Sequence, residues 1–295
     1  LGAKAFRHTA VYDSVIAAYL SASTPMAPFP TEFAVPLRLA TALRYGENPH
    51  QPAAAFHTPL VPGGVVRAKQ LWGKDLSYNN ILDADAAWEL ASDLGPGAVA
   101  IIKHGNPCGA AKLANLADSY EAARSSDPVS AFGGIAALVG SVDASAAESL
   151  TAKGNFLEVV IAERFGQEAL DTFQNRSGWG ADVRLLECPR SEPSSFLTVR
   201  SLRGGALVQW SDEDPRAGFK TVTKAKPPAQ LEPDIEFAWA TVAHVKSNAI
   251  VVCRGSRLLG TGAGQMNRVQ SGRLALEQSG EAAQGAVLAC DAFFP

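Results

Sequence analysis

The stretch that decides the fold reads GAVAIIKHGNPCG and occupies residues 97–109. No polar side chain stands before Lys103, which is typical of a short buried strand. A second apolar run at residues 134–139 has the same character, whereas residues 84–94 carry the spaced apolar side chains of a helix. This alternation of buried strands and amphipathic stretches predicts an α/β protein.

The alternation continues along the rest of the chain. Residues 156–162 predict a strand and residues 166–173 a helix, whereas the stretch 174–195, with its Gly, Ser and Pro residues, predicts a connection. An irregular stretch follows at residues 211–233. A new helix, strand, strand and helix are then predicted at residues 237–245, 249–253, 257–261 and 267–278. We therefore predict a domain boundary near residue 200.

The composition excludes several classes of protein. With 47% hydrophobic and 19% charged residues among 295, the chain is not of the disordered class, and its 26 Gly and 18 Pro show no fibrous period. A net charge of −3 gives no reason to expect a nucleic acid or an anionic membrane as partner. No apolar run approaches the ~18 residues of a membrane helix. The cysteines form no CxxC pair, which predicts reduced thiols in a cytoplasmic protein. They are Cys108, Cys188, Cys253 and Cys290.

The most informative polar segment is the end of the first strand, where Lys103 and His104 precede a turn through Gly105, Asn106-Pro107 and Gly109. Strand ends that lead into loops are where α/β proteins place functional groups. Histidine is the side chain best suited to proton transfer near neutral pH, and a neighbouring lysine can stabilise a developing negative charge. A single histidine is more often structural, so the residues alone leave both roles open.

Two further polar segments precede the predicted helix at residues 84–94. In residues 44–51, Arg44 offers a planar donor fork for phosphate or carboxylate, although a polar turn explains the segment equally well. In residues 76–80, Ser77 stands before a predicted helix. We interpret it as a helix cap rather than a functional residue.

Two Gly-containing segments complete the set. The pair Gly133 and Gly134 allows a ligand to approach the backbone, but it can equally form a tight turn into the next strand. Segment 243–249 precedes a Gly-rich loop at residues 260–268, between a predicted strand and a predicted helix. Such a loop is a natural cradle for an anion.

The sequence lacks the motifs of several other classes of enzyme. The loop does not match the dinucleotide pattern GxGxxG because Gln265 holds the third glycine position, and no Walker-type motif exists. Zinc deaminases need HxE and PCxxC, but Ala111 stands where the second cysteine would follow Cys108, and no histidine is followed by xE. There is no GxSxG elbow. A metal hydrolase and a serine hydrolase are therefore disfavoured.

Taken together, the segments resemble the transformylase part of the bifunctional AICAR transformylase/IMP cyclohydrolase family. The motifs that carry the resemblance occur in the family's order from about Leu43 onward. They are LRYGENPHQ (43–51), DLSYNNILDADAAWEL (75–90), IIKHGNPCG (101–109), DPVSAFGG (127–134), FLEVVIAE (156–163), HVKSNAI (244–250), GTGAGQMNRV (260–269) and CDAFFP (290–295). The opening also resembles the last helix of the family's cyclohydrolase domain.

The resemblance implies a domain plan and a fold. Residues 1–25 are expected to be the end of the cyclohydrolase domain, residues 26–200 a first transformylase subdomain, and residues 201–295 a second that is incomplete at its C-terminus. The implied fold is two tandem cytidine-deaminase-like α/β/α units without zinc.

The resemblance also implies a reaction, namely formyl transfer from 10-formyltetrahydrofolate as co-substrate to the 5-amino group of AICAR in purine biosynthesis. His104 matches the family's proton acceptor, Lys103 its transition-state stabiliser, and Val269 a folate-contacting position. The positions that match nucleotide binding are Arg44, Tyr45, Gly133, Glu158, Asn248, Arg268 and Phe293. The family's site is shared across a homodimer, with Asn248 and Arg268 expected from the second subunit. The full-length protein is expected to add IMP cyclohydrolase activity.

The chain departs from the family pattern at a few positions. Ala243 stands where a lysine is frequent, Cys290 replaces a serine before DAFFP, and Glu158 occupies a site that is Asp in some members. The chain stops at Pro295, before the family's closing segment. Two alternatives therefore stay open: a zinc-free nucleotide-binding or dimerisation fragment without activity, and a deaminase-type hydrolase. A zinc determination and an activity measurement distinguish them.

Overall fold

The computed structural model describes residues 1–22, 29–190, 197–212 and 218–292. The helices are α1 (Gly2–Ala22), α2 (Tyr78–Leu94), α3 (Leu116–Ser126), α4 (Pro128–Ala131), α5 (Ala144–Thr151), α6 (Gln167–Asn175), α7 (Glu232–Ala243) and α8 (Arg268–Ser279). The strands are β1 (Arg38–Leu43), β2 (Ala53–His57), β3 (Lys69–Trp72), β4 (Ala98–Lys103), β5 (Asn106–Lys112), β6 (Gly134–Val142), β7 (Leu157–Phe165), β8 (Arg184–Glu187), β9 (Leu197–Leu202), β10 (Gly205–Trp210), β11 (Ile250–Cys253), β12 (Leu258–Gly262) and β13 (Val287–Cys290).

The centre of the molecule is a six-stranded mixed sheet with the strand order β3-β8-β7-β6-β4-β5. Strands β6, β7 and β8 run parallel, whereas β3, β4 and β5 pair antiparallel with their neighbours. The strand predicted before Lys103 and those predicted at residues 134–139 and 156–162 are confirmed as β4, β6 and β7, and the α/β class is confirmed with them.

The apolar runs of β4 and β6 are continuous because helices cover both faces of this sheet. On one face, Ile102 packs in a cluster with Leu90 of α2. On the other face, Ile101 packs with Tyr120 of α3 and Phe173 of α6. All five side chains are less than 2% exposed, so the Ile, Leu and Phe side chains among them each contribute about 1.5–3 kcal/mol of burial free energy.

The prediction of a connection over residues 174–195 is wrong in one part. The structure places β8 there, parallel to β7 and antiparallel to β3. A strand of four residues is too short to show a periodicity of its own, and its pairing with two neighbours makes it a strand. Residues 191–195 lie outside the described residues, as do residues 213–217 of the irregular stretch.

The second half of the chain builds a three-stranded antiparallel sheet with the order β12-β11-β13. The predicted helix, strand, strand and helix are confirmed as α7, β11, β12 and α8. Helix α7 begins at Glu232, earlier than predicted, because Pro233 suits the first turn of a helix. Phe237 of α7 packs in the same cluster as α2, and a bridge between Ala111 and Arg257 joins the two sheets edge to edge. The two halves therefore share a hydrophobic cluster.

Two antiparallel hairpins, β1-β2 and β9-β10, lie outside these sheets. The second exposes Val199, Leu207 and Trp210. The predicted domain boundary near residue 200 falls within β9, and the division into domains stays a prediction. Within the described ranges, none of the helices combines the length and the apolar character needed to cross a membrane.

The close approach of β5 to α3 allows a prediction about stability. A Cβ built on Gly109 of β5 would lie 2.0 Å from the carbonyl oxygen of Ala123 in α3. Gly109→Ala is therefore expected to lower the free energy of unfolding by about 3 kcal/mol, measured by urea denaturation. Gly205 of β10 has no heavy atom within 4 Å of such a Cβ and serves as the matched control. Equal effects of Gly109→Ala and Gly205→Ala would contradict this packing.

Candidate active site

One end of the six-stranded sheet collects four of the ten predicted site residues, namely Lys103, His104, Gly133 and Glu158. Strand β4 ends at Lys103, whereas its antiparallel neighbour β6 begins just after Gly133, and Ile102 pairs with Ile135. Strand β7 runs parallel to β6 and brings its second residue, Glu158, to the same end. The register of three strands therefore places Lys103, Gly133 and Glu158 together.

Lys103 is tied to the backbone that leads into β6. Its Nζ donates to the carbonyl oxygen of Phe132, and the amide of Gly133 donates to the carbonyl oxygen of Phe156 at 2.7 Å. Gly133 has a φ of +72°, and a Cβ at this position would lie 3.3 Å from the Lys103 Nζ. A glycine here therefore lets the ammonium group approach the main chain closely.

His104 lies in a two-residue hairpin turn between β4 and β5, and its side chain is exposed. The longer turn predicted through Asn106-Pro107 and Gly109 is wrong, because these residues form β5. Proline is tolerated there since β5 is the edge strand of this sheet and is bulged opposite β4. Cys108 lies in the bulge, and burial raises the pKa of its thiol to about 12, so it stays protonated near neutral pH.

The turn is held from two other parts of the chain. The carboxylate of Asp83 in α2 accepts hydrogen bonds from the amides of His104 at 3.1 Å and Gly105 at 2.8 Å. From the second half, the Lys246 Nζ donates to the His104 carbonyl oxygen at 3.4 Å, and the Lys246 amide donates to Oδ1 of Asn106 at 3.2 Å. The motifs contained Asp83 and Lys246, but nothing in their spacing connected them with His104.

Glu158 is oriented by two side chains that contact the same carboxylate oxygen. Nδ2 of Asn80 donates to its Oε2 at 2.8 Å, and Nη1 of Arg184 lies 3.9 Å from that oxygen. Asn80 also forms a reciprocal capping box with Ser77, so the interpretation of Ser77 as a cap is confirmed. The amide of Asn80 therefore serves both the helix end and the candidate site.

Arg184 is a site residue that the sequence did not reveal. It is buried at the start of β8, in the stretch predicted as a connection, and its Nε donates to the carbonyl oxygen of Asp75 at 3.3 Å. Burial lowers the pKa of Arg184. The carboxylate of Glu158 raises the pKa in part, whereas the positive charge of Arg44 lowers it further. Arg184 therefore lies close enough to both Glu158 and Arg44 to feel their charges.

The segment 44–51 folds into a compact loop near α2. The guanidinium of the exposed Arg44 lies 5.3 Å from the ring centroid of Tyr45. The Gly46 amide donates to the Gln51 carbonyl oxygen at 2.7 Å, and Asn79 of α2 donates to the carbonyl oxygen of residue 47 at 3.5 Å. The segment therefore forms a polar turn, and the binding of a phosphate or carboxylate by Arg44 stays a prediction.

Asn248 and Arg268 make their contacts within the second half. Nδ2 of Asn248 donates to the Gln265 carbonyl oxygen at 2.8 Å, which ties it to the Gly-rich loop between β12 and α8. Nη2 of Arg268 pairs with Asp291 at 2.9 Å, and its Nε donates to Sγ of Cys290 at 3.1 Å. Burial opposes the lowering of the Asp291 pKa, but hydrogen bonds and the charge of Arg268 overcome it.

Val269 lies at an apolar groove on the surface of α8. Its side chain is 68% exposed, and the groove has a volume of about 460 Å³ between α8 and β13. Leu276 and Leu288 provide further apolar lining, and Arg268 lies at the same groove. Phe293, the remaining predicted nucleotide-binding residue, lies outside the described residues.

The assembled groups define what the site can do chemically. An ammonium and an exposed imidazole on successive residues can stabilise negative charge and move a proton. Glu158 can accept hydrogen bonds from hydroxyl groups, and the guanidinium of Arg44 suits a phosphate. In the described part of the chain, no three His, Cys, Asp or Glu side chains are grouped so as to hold a metal ion.

Comparisons with known proteins agree with the resemblance in the motifs. A family model described as AICARFT/IMPCHase bienzyme matches residues 1–278. The bifunctional purine biosynthesis protein PurH of Desulfitobacterium hafniense (strain DSM 10664 / DCB-2) is 44% identical over 306 residues, which cover 100% of this chain and 58% of the relative. The protein of the same name from Listeria welshimeri is 45% identical over 298 residues (100% and 57%), and that from Deinococcus radiodurans is 42% identical over 303 residues (100% and 58%). The chain thus spans less than two thirds of the length of these relatives.

Proposed function

The chain belongs to the AICARFT/IMPCHase bienzyme family, and from this membership we propose that its site transfers the formyl group of 10-formyltetrahydrofolate to the 5-amino group of AICAR in purine biosynthesis. The observation that carries the proposal is the end of β4, where Lys103 and His104 stand at the same end of the sheet as Gly133 and Glu158. There a base and a cation occupy neighbouring residues at the same end of the sheet as a carboxylate.

The chemistry of the reaction explains the need for these groups. The amine of AICAR is a poor nucleophile because its lone pair is delocalised into the ring and the carboxamide. His104 takes the proton of the amine as the new carbon–nitrogen bond forms, and Lys103 stabilises the tetrahedral oxyanion. The bond from the formyl carbon to N10 of the folate then breaks, and N10 receives the proton.

Of the other predicted site residues, some are proposed to bind the nucleotide and one to contact the folate. Glu158, held through its Oε2 by Asn80 and Arg184, can accept hydrogen bonds from the ribose hydroxyl groups. Arg44, with the ring of Tyr45 beside it, offers a donor fork to the phosphate. The apolar groove at Val269 suits a flat ring such as that of the folate.

Parallel assays of the purified protein test the assignment. With AICAR and 10-formyltetrahydrofolate, we expect stoichiometric formation of the formamido nucleotide and tetrahydrofolate. Cyclisation of the formamido nucleotide without folate is assayed beside it, since the relatives are named bifunctional. Release of ammonia with bound zinc would favour the deaminase-type hydrolase, and AICAR binding without turnover would favour the non-catalytic fragment. Either result without formyl transfer would contradict the proposal.

We also propose a more specific fold and a cellular location that are consistent with this reaction. The two sheets with their helices are proposed to be two tandem cytidine-deaminase-like units, the first around the six-stranded sheet and the second around β12-β11-β13. The four cysteines are unpaired thiols, which supports a cytoplasmic protein. Full-length protein is proposed to add IMP cyclohydrolase activity.

We further propose that the protein is a homodimer in which Asn248 and Arg268 of one subunit complete the site of the other. Exposed apolar side chains on β9-β10, such as Leu207 and Trp210, offer surface for such an interface. Within one chain, Lys246 already contacts the turn of His104, so the proposal needs a test that separates a shared site from a site built by one chain.

Mixing two inactive variants provides that test. Lys103→Met and Asn248→Ala are each expected to be inactive alone, because each damages every site of its homodimer. If the site is shared, random exchange of subunits gives about half heterodimers, each with one intact site, and about a quarter of the wild-type activity. An absence of recovery after exchange has been demonstrated would mean that each chain builds its own site.

A further inference from the structure

The backbone of His104 has an unusual conformation. Its φ is 52°, in the left-handed region, and the following Gly105 has a φ of 70°. Glycine adopts this region freely, but a residue with a Cβ is strained there by contact between its Cβ and the backbone. Such a conformation persists where surrounding contacts hold it in place. The position of His104 therefore depends on what holds the turn.

Asp83 is well placed to hold this turn. Both of its carboxylate oxygens are engaged: Oδ2 accepts from the amide of His104 at 3.1 Å, and Oδ1 accepts from the amide of Gly105 at 2.8 Å. Hydrogen bonds to a charged acceptor are about twice as strong as those between neutral groups. Two such bonds to consecutive amides fix the orientation of the peptide that carries the histidine.

The helix that carries Asp83 is itself rigidly placed. The neighbouring Ala84 and Ala87 are fully buried in the core cluster of α2, and Ser77 caps the helix. The other side-chain contacts with the turn are longer, because the ammonium of the exposed Lys246 and Nδ2 of Asn106 each lie 3.4 Å from the His104 carbonyl oxygen. Asp83 thus links the hairpin turn to the hydrophobic core.

We propose that Asp83 is a positioning residue for His104. It does not touch the substrates, but it holds the turn in the left-handed conformation that presents the imidazole at the end of the sheet. The proposal rests on the proposed formyl transfer, in which His104 accepts the proton of the amine. Asp83 then affects turnover through His104 rather than through the affinity for nucleotide.

A double-mutant cycle tests this role. Asp83→Asn removes the charge and leaves one acceptor oxygen, and it is expected to lower kcat about 10–100-fold with the KM for both substrates within about twofold. In a His104→Ala background, Asp83→Asn is expected to lower kcat by less than about a further twofold. Asp85→Asn, which removes the same charge two residues along α2, serves as the matched control and is expected to keep wild-type kcat.

A second readout does not depend on activity. Hydrogen exchange of the His104 and Gly105 amides is expected to accelerate at least about tenfold in Asp83→Asn but not in Asp85→Asn. Wild-type kcat in Asp83→Asn, an equal loss in both backgrounds, or unchanged protection of these amides would overturn the positioning role. If the wild-type protein transfers no formyl group while Asp83→Asn still deprotects the two amides, the hold on the turn is supported and the proposed function is overturned.

Discussion

His104→Ala is expected to lower the rate of formyl transfer by about 10²–10⁴-fold, the range that general-base catalysis supplies. The imidazole is exposed at the end of β4, so its removal leaves no cavity in the core. Affinity for AICAR, measured by calorimetry, is expected to stay within a few-fold of wild type, because we propose that other residues hold the nucleotide. The measurement is kcat at saturating concentrations of both substrates.

The control for this variant is His8→Ala, which removes an exposed histidine from α1. It is expected to leave kcat unchanged. If His104→Ala turned over at nearly the wild-type rate, His104 would not be the base. The structural role that the sequence left open would then be the better interpretation.

Lys103→Met is expected to lower kcat by about 10²–10³-fold with little change in KM, the loss typical of a removed oxyanion donor. The side chain is half-buried, and its ammonium bonds to the carbonyl oxygen of Phe132 beside Gly133. Methionine has a similar length and fills the same space without the charge. The effect should therefore arise from the missing charge rather than from altered packing.

Steady-state kinetics with each substrate varied in turn separate the two possible roles of Lys103. A rise in KM at unchanged kcat would make Lys103 a ground-state binding residue instead. The exposed Lys4 of α1 provides the control variant Lys4→Met, which is expected to behave as wild type.

The parts of the fold that were predictable from the sequence are those whose pattern is local. Strands β4 and β6 are buried on both faces, so their apolar runs identify them without knowledge of their neighbours. Strand β8 was missed because four residues carry no period, and it is a strand only through its pairing with β3 and β7. Helix α7 was predicted too late because its first residues, Glu232 and Pro233, do not show the spaced apolar side chains of a helix.

The same distinction applies to the candidate site. Lys103 and His104 were recognisable because both residues follow one apolar strand. Asp83 and Lys246, which contact the backbone of the His104 turn, come from distant segments, and only the packing of α2 and of the second half brings them to the turn. Arg184 had no signal at all, since a single arginine in an apparent connection does not reveal that it will lie buried beside Glu158.

The most direct test of the central claim is a crystal structure of the protein with AICAR bound. We expect the 5-amino group within hydrogen-bonding distance of the His104 imidazole, the Lys103 ammonium on the side where the formyl oxygen will lie, and a ribose hydroxyl group on Glu158. A nucleotide bound elsewhere, or one whose amine points away from the end of β4, would contradict the assignment of this site to formyl transfer.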